Sequence, residues 1–144
     1  MSIPQRLDYA ALSPEAYRGL GVTKAALNKS TLGKELIELV CLRMSQINGC
    51  ALCLELHTKS LRDLGISAAK LDRLAGWRVS EHFEARERAA LAWTEALTHV
   101  DQTHAPDEEF EPLKEHFSDV EISDLTFAVA LMSAFNRLAI GMRQ

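Results

Sequence analysis

The sequence predicts an all-α protein, a compact bundle of about six to seven helices. Hydrophobic residues recur at helical spacing through nearly every segment of the 144-residue chain. No stretch shows the alternation of polar and apolar residues that marks a strand. Residues that favour helix starts and helix ends separate the periodic segments. The length suits one domain, which we expect to span residues 1–144.

Helix signals divide the first half of the chain into three segments. Ser13-Pro14-Glu15 is a favourable helix start, and we expect this helix to end near Gly19–Gly21. Residues 34–47 have the pattern of an amphipathic helix. Asn48-Gly49 then supplies the residues that most readily leave a helix through a left-handed conformation. Another helix is expected over residues 50–64, with Gly65 as its end.

Three more helices are expected in the second half, besides a short one over residues 67–75 that Gly76 closes. Ser80 is the expected N-cap of a helix that continues to about residue 99. An acidic start follows Pro106 and suits the positive end of a helix dipole. Ser118 or Asp119 caps the last helix, which is expected to reach about residue 140.

The last helix is apolar around most of its circumference, so it must be covered on most sides. A bundle of this size covers it only in part, and we therefore expect a homo-oligomer with this helix in a subunit interface. The alternative is a central core helix in a monomer. Arg137 is unusual in so apolar a helix, and we expect it to pair with an acid or to cross an interface.

Composition excludes several classes of protein. The net charge of −4 gives no electrostatic case for binding nucleic acid or an anionic membrane. The N-terminus lacks the apolar stretch of a secretory signal. The most apolar run, residues 125–140, is shorter than the roughly 20 residues of a spanning helix. We expect a cytoplasmic protein without a membrane segment.

The segment Cys50-x-x-Cys53-x-x-x-His57 carries the strongest chemical signal. In a helix these positions advance by three and four residues and therefore share one face. Two neighbouring thiols beside an imidazole suit thiol–disulfide chemistry, in which one thiolate attacks and the other closes a disulfide. Cys50 follows the Asn48-Gly49 break, so the amides of a helix start would stabilise its thiolate.

Glu38 can be placed beside this motif by helix geometry. It precedes Gly49 by about 16 Å of helix, and His57 follows Gly49 by about 12 Å. If the two helices fold back antiparallel, the carboxylate reaches the depth of the imidazole. A carboxylate in that position orients the ring and passes a proton onward.

The cysteines allow other interpretations. A zinc site is the main alternative for this cluster, but structural zinc usually takes two separated ligand pairs, and a second pair is missing. Haem attachment needs a histidine directly after the second cysteine, where Leu54 stands. We therefore expect no metal and no cofactor. Cys41 is expected to be a core residue.

The remaining aromatic and histidine residues are expected to be structural or solvated. Trp77 and Trp93 suit core or interface positions. Histidines at helix ends or in loops are expected to be solvated; these are His82, His99, His104 and His116.

The combination of Glu38, eleven intervening residues and Cys50-x-x-Cys53-x-x-x-His57 resembles the signature of the AhpD-like alkylhydroperoxidases, within the carboxymuconolactone decarboxylase superfamily. Flanking segments are similar as well, among them residues 45–49, 87–92 and 136–139. The resemblance covers roughly residues 10–142 and implies a compact helical bundle that assembles as trimers or hexamers.

The resemblance also implies roles for the site residues. Cys53 would be the peroxidatic thiol, Cys50 the resolving thiol, and Glu38 with His57 the proton relay. Position alone would instead favour Cys50 as the more acidic thiol, because it lies nearer the helix start. Some family members carry another histidine immediately before the second cysteine, where this chain has Leu52.

These observations lead to an expected function, a thiol-dependent hydroperoxide reductase or disulfide oxidoreductase in antioxidant defence. Its partners would be a hydroperoxide substrate and an external dithiol, either a thioredoxin-like or a lipoylated protein. One alternative is acid–base chemistry on a lactone or small organic acid, as in the decarboxylase branch. Another is a non-catalytic module that is stabilised by zinc or senses redox state.

Overall fold

All regular structure is helical in the computed structural model, which describes residues 1–144. The α-helices in chain order are α1 (Tyr9–Leu12), α2 (Pro14–Leu27), α3 (Lys34–Asn48), α4 (Ala51–Asp63), α5 (Ala68–Asp72), α6 (Ala85–Thr98), α7 (Val100–Thr103), α8 (Asp107–Phe110) and α9 (Asp119–Met142). Short 3-10 helices follow α5 (Leu74–Val79) and α8 (Glu111–Glu115). The all-α prediction is confirmed; the helix count exceeds the expected six to seven because several helices have only four or five residues.

Helix α2 is longer than its sequence predicts. It continues through Gly19 and Gly21 and ends at Leu27, so the expected end near the glycines is wrong. A glycine inside a helix costs only about 1 kcal/mol relative to alanine. Packing of α2 against α9 offsets that cost, and Leu27 at the end of α2 is buried.

The segment before α6 also differs from the prediction. Ser80 is not the N-cap, because its hydroxyl accepts the His82 N–H at 3.2 Å and holds a turn instead. The helix begins four residues later at a capping box made by Glu84 and Glu87. Upstream, the expected helix over residues 67–75 is split into α5 and a 3-10 helix that passes through Gly76.

Helix α9 begins where expected, with Ser118 and Glu121 forming a capping box. Its 24 residues are long and apolar enough to cross a membrane by length and composition alone, a test that the core helix of a bundle also passes. One face of α9 packs against α2, α3, α4 and α6. The other face leaves Val120, Phe127 and Ile140 exposed.

Helix α3 lies at the centre of the bundle and contacts α4, α6 and α9. Its residues Leu36, Leu39 and Val40 belong to a core cluster of 17 buried residues. The same cluster includes Trp77 and Trp93, so both tryptophans are core residues as expected. Both α4, which carries the two-cysteine motif, and α9 are therefore anchored on the same central helix.

The exposed positions correct two expectations from the sequence. Arg137 is exposed and makes no ion pair within this chain, so the first of its two expected roles is wrong, while a position in a subunit interface stays a prediction. Its side chain avoids the cost of burial because it leaves the helix on the face that α9 turns to solvent. His82, His99 and His104 are exposed as expected, whereas His116 is half-buried.

A carboxylate on α6 joins three segments of the bundle. Arg43 Nε and Trp77 Nε1 each donate a hydrogen bond of 2.8 Å to Glu95 Oε1, and Arg78 pairs with the second oxygen. Partial burial by itself raises the pKa of Glu95, but these hydrogen bonds outweigh it and hold the pKa below its ordinary range. Glu95 therefore stabilises the fold as a charged group.

We expect Glu95→Gln to lower the free energy of unfolding at pH 7 by about 2 kcal/mol, because an amide cannot accept charge-assisted hydrogen bonds. Since the folded-state pKa is lowered, this contribution is complete above the unfolded-state pKa of about 4.3 and disappears as the pH falls through the folded-state value. Urea unfolding at pH 7 and pH 3 measures it. The exposed Glu81→Gln is the control, and an equal effect of both variants would contradict the assignment.

Candidate active site

The turn between α3 and α4 determines where the two-cysteine motif begins. Gly49 adopts the left-handed conformation (φ 70°), which costs glycine little because it has no Cβ. The Ser45 carbonyl accepts both the Gly49 N–H at 2.9 Å and the Cys50 N–H at 3.1 Å. The chain therefore reverses within two residues and α4 starts at once. This confirms the helix end that Asn48-Gly49 predicts.

Cys50 and Cys53 are joined as a disulfide at the start of α4, with their Cα atoms 5.3 Å apart. Cys50 is the N-cap, and its Sγ accepts the Cys53 N–H at 3.4 Å. Both cysteines are buried, and they form a small cluster with Ala139 of α9. The expected position of the pair at a helix start is thus observed.

The hydrogen bond between His57 and Glu38 joins α4 to α3. His57 Nδ1 lies 2.7 Å from Glu38 Oε2, and each side chain is 15% exposed. Because a carboxylate only accepts, Nδ1 carries the proton and Nε2 of the neutral ring is left to accept another. The antiparallel arrangement that helix geometry suggested therefore brings Glu38 to His57.

A cavity of about 530 Å³ lies beside this pair, and Cys53, His57 and Glu38 all line it. Cys50 does not line it and is only 1% exposed. Fifteen of the 22 lining residues are hydrophobic, so the cavity presents one sulfur and one acid–base pair to an apolar space. Leu52 also lines it.

Cys41 lines the same cavity from α3 and is buried, as the sequence predicts. Burial raises the pKa of its thiol, and the nearby Glu38 carboxylate raises it further. A protonated, buried thiol is a poor nucleophile. No cluster of three or more His, Cys, Asp and Glu side chains is arranged to hold a metal ion.

A buried amide on α9 holds the turn that precedes the cysteines, and sequence reasoning gave it no role. Asn136 is fully buried; its Oδ1 accepts from Asn48 Nδ2 at 2.9 Å, and its Nδ2 donates to Ser45 Oγ at 3.3 Å. Ser45 Oγ in turn donates to the Cys41 carbonyl at 2.8 Å. An asparagine inside so apolar a helix is the signal that points to such a role.

The fold and the site together define a class of protein: all-helical bundles in which a buried cysteine pair lies beside a histidine–glutamate pair. Within that class, the carboxymuconolactone decarboxylase family matches residues 14–96, more than half of the sequence. The chain belongs to this family. The family includes decarboxylases as well as proteins related to peroxidases, so membership leaves the reaction to be argued from the site.

Three relatives resemble the chain over most of its length. The uncharacterized protein YdfG of Bacillus subtilis (strain 168) is 28% identical over 138 residues, which cover 96% of this chain and 94% of that protein. A crystal structure from Agrobacterium tumefaciens has a TM-score of 0.93 and 39% identity, covering 98% of this chain and 97% of that one. It is a protein of unknown function whose proposed designation is the antioxidant defence protein AhpD.

The third relative is an uncharacterized peroxidase-related protein of Ralstonia eutropha JMP134, described as an alkylhydroperoxidase AhpD core. Its structure has a TM-score of 0.80 and 26% identity, covering 93% of this chain and 73% of that one. These comparisons agree with the AhpD-like resemblance that the motif carries.

We expect Asn136→Ala to lower the free energy of unfolding by about 1–3 kcal/mol, because it removes buried hydrogen bonds to Asn48 and Ser45. Urea unfolding of the oxidised protein measures the loss. Ser123→Ala, at an exposed position of the same helix, is the matched control. If the two variants were equally stable, the turn would not depend on the buried amide.

Proposed function

We propose that the protein is a thiol-dependent hydroperoxide reductase that acts in antioxidant defence through Cys50 and Cys53. The observation that carries this proposal is that a disulfide-forming sulfur, Cys53, lines the same cavity as the hydrogen-bonded pair of His57 and Glu38. The AhpD and peroxidase-related designations of the structural relatives support it.

In the first step, the Cys53 thiolate attacks the terminal oxygen of a hydroperoxide. A sulfur–oxygen bond forms and the oxygen–oxygen bond breaks, so Cys53 becomes a sulfenic acid and the substrate leaves as an alkoxide. His57 accepts the thiol proton and returns a proton to the leaving alkoxide, which becomes the alcohol. Glu38 orients the ring through Nδ1 and stabilises its protonated form.

In the second step, the Cys50 thiol attacks the sulfenic sulfur, the disulfide forms and water leaves. The disulfide in the structure corresponds to this product. An external dithiol then returns two electrons and two protons by thiol–disulfide exchange and is itself oxidised to a disulfide. We propose a thioredoxin-like or lipoylated protein as this donor and the cytoplasm as the compartment, where such donors are kept reduced.

Cys53 is favoured as the attacking thiol because of its position. It faces the cavity and stands four residues before His57 on α4, whereas Cys50 lies behind it, away from the cavity. A substrate that enters the cavity therefore reaches Cys53 first. Burial of Cys50 directly against Cys53 suits the resolving role.

The exposed face of α9 supports a homo-oligomer, which we propose to be a trimer or hexamer as the family resemblance implies. Phe127 is 58% exposed, and Val120, seven residues before it on the same side of the helix, is 68% exposed. Two large apolar side chains exposed on one side of a helix suit a protein–protein contact.

The His57–Glu38 pair favours a second candidate function, acid–base catalysis on a lactone or small organic acid. A buried acid–base pair in an apolar cavity suits proton transfer without any thiol. The cysteine pair argues against it, because that reaction does not use two sulfurs. Lactone or acid turnover that survived in a Cys50→Ala, Cys53→Ala double variant would favour this candidate.

We expect the reduced protein to consume cumene hydroperoxide in a rapid phase that Cys53→Ser abolishes and Cys41→Ala retains. In Cys50→Ser, one equivalent is consumed and the sulfenic acid persists, so dimedone labels Cys53. Stopped-flow measurements and mass spectrometry check these outcomes. Equal rates in wild type and Cys53→Ser would overturn the proposed function, and loss of the phase in Cys50→Ser alone would reverse the two roles.

Replacing Glu38 by glutamine tests the proton relay. We expect Glu38→Gln to slow the same phase by about 10- to 100-fold, because an amide cannot stabilise the protonated ring. Thiol titration should still find the reducible cysteine pair. Glu55→Gln, on the exposed face of α4, is the matched control, and a Glu38→Gln rate equal to that of wild type would exclude the relay.

A further inference from the structure

The charged residues that line the cavity differ in whether they form an ion pair within the chain. Two basic side chains, Arg18 and Lys24, line it together with Glu38 and His57. Glu38 is engaged by His57, and Arg18 pairs with Glu15 on the same helix. Lys24 of α2 makes no ion pair within this chain, so the cavity contains one cation that is free to meet an anionic ligand.

We propose that this cavity binds an aliphatic carboxylate, with Lys24 as the charge partner of the carboxylate group. Together with the proposed function, on which this part rests, the substrate is then an aliphatic hydroperoxide that also bears a carboxylate. Glu38 repels a second carboxylate and so keeps it away from the redox end. The ligand is thereby oriented with its hydroperoxide toward Cys53 and its carboxylate toward Lys24.

The dimensions and lining of the cavity suit such a ligand. Its volume of about 530 Å³ lies within the range of ligand pockets, roughly 300–1,000 Å³. Apolar walls come from different helices, including Val22 of α2, Leu56 of α4 and Phe135 of α9. Tyr9 and Asn28 add hydrogen-bonding groups to the lining. An apolar lining with few polar groups binds an alkyl chain and orients its polar ends.

The charge of Lys24 also acts inside the cavity. Burial and the Glu38 carboxylate raise the pKa of the Cys41 thiol, whereas Lys24 lowers it. The ammonium group of Lys24 thus influences a buried thiol that lines the same cavity. The chain as a whole carries a net charge of −4, which disfavours the binding of anions. A local cation such as Lys24 is therefore required for an anion to bind in the cavity.

The test measures binding of octanoate and of neutral 1-octanol to the oxidised protein by calorimetry. We expect octanoate to bind more tightly than 1-octanol to wild type, because only the carboxylate meets Lys24. Lys24→Met should raise the dissociation constant for octanoate by about twofold to fivefold and leave that for 1-octanol unchanged. Lys29→Met removes a neighbouring exposed lysine that does not line the cavity, and it should leave both constants unchanged.

Three outcomes would overturn the proposal: octanoate binding no more tightly than 1-octanol, equal weakening of octanoate by the two lysine variants, or no binding of either compound. The oxidised protein has no free thiol at the pair, so this test is independent of peroxidase activity. A failed peroxidase assay with a positive octanoate result would remove the proposed function and keep the carboxylate site. With an active enzyme, Lys24→Met should raise KM for linoleic acid hydroperoxide but not for its methyl ester.

Discussion

The left-handed turn at Gly49 is the constraint on which the site depends. It reverses the chain between two long helices within two residues, and this makes Cys50 the N-cap of α4. The same reversal sets the register of α3 against α4, and that register brings the Glu38 carboxylate to His57. One backbone conformation therefore positions both the sulfur pair and the acid–base pair. A residue with a Cβ would make that conformation costly.

Helix α9 completes the arrangement from the opposite end of the sequence. Asn136 forms hydrogen bonds with the residues before the turn, and Ala139 packs against the two cysteines. The polar Asn136 occurs in this otherwise apolar helix because it forms hydrogen bonds with the turn. The small Ala139 allows the helix to pack closely against the two sulfurs. The disulfide pair is thus held between a local turn and a distant helix, and it is buried while Cys53 still lines the cavity.

The cavity combines an apolar lining with few polar groups, which suits chemistry on an organic molecule. Cys53 and His57 face it, whereas Cys50 lies behind. This asymmetry separates the proposed roles of the two thiols more clearly than their distance from the helix start, which alone would favour Cys50. In the two proposals, Lys24 binds the carboxylate of the ligand and Cys53 reacts with its hydroperoxide, so the cavity has two different tasks.

Local residue chemistry was enough to predict the helical class, the break at Asn48-Gly49, the cysteine pair at a helix start and the approach of Glu38 to His57. Each of these follows from backbone preferences and helix dimensions within a short stretch of chain. The end of α2 and the start of α6 were wrong, because packing against α9 and a glutamate capping box decided them. The role of Asn136 and the composition of the cavity depend on contacts between segments about 90 residues apart. Such contacts form only when the helices pack. No local sequence pattern indicates which distant side chains will then be in contact.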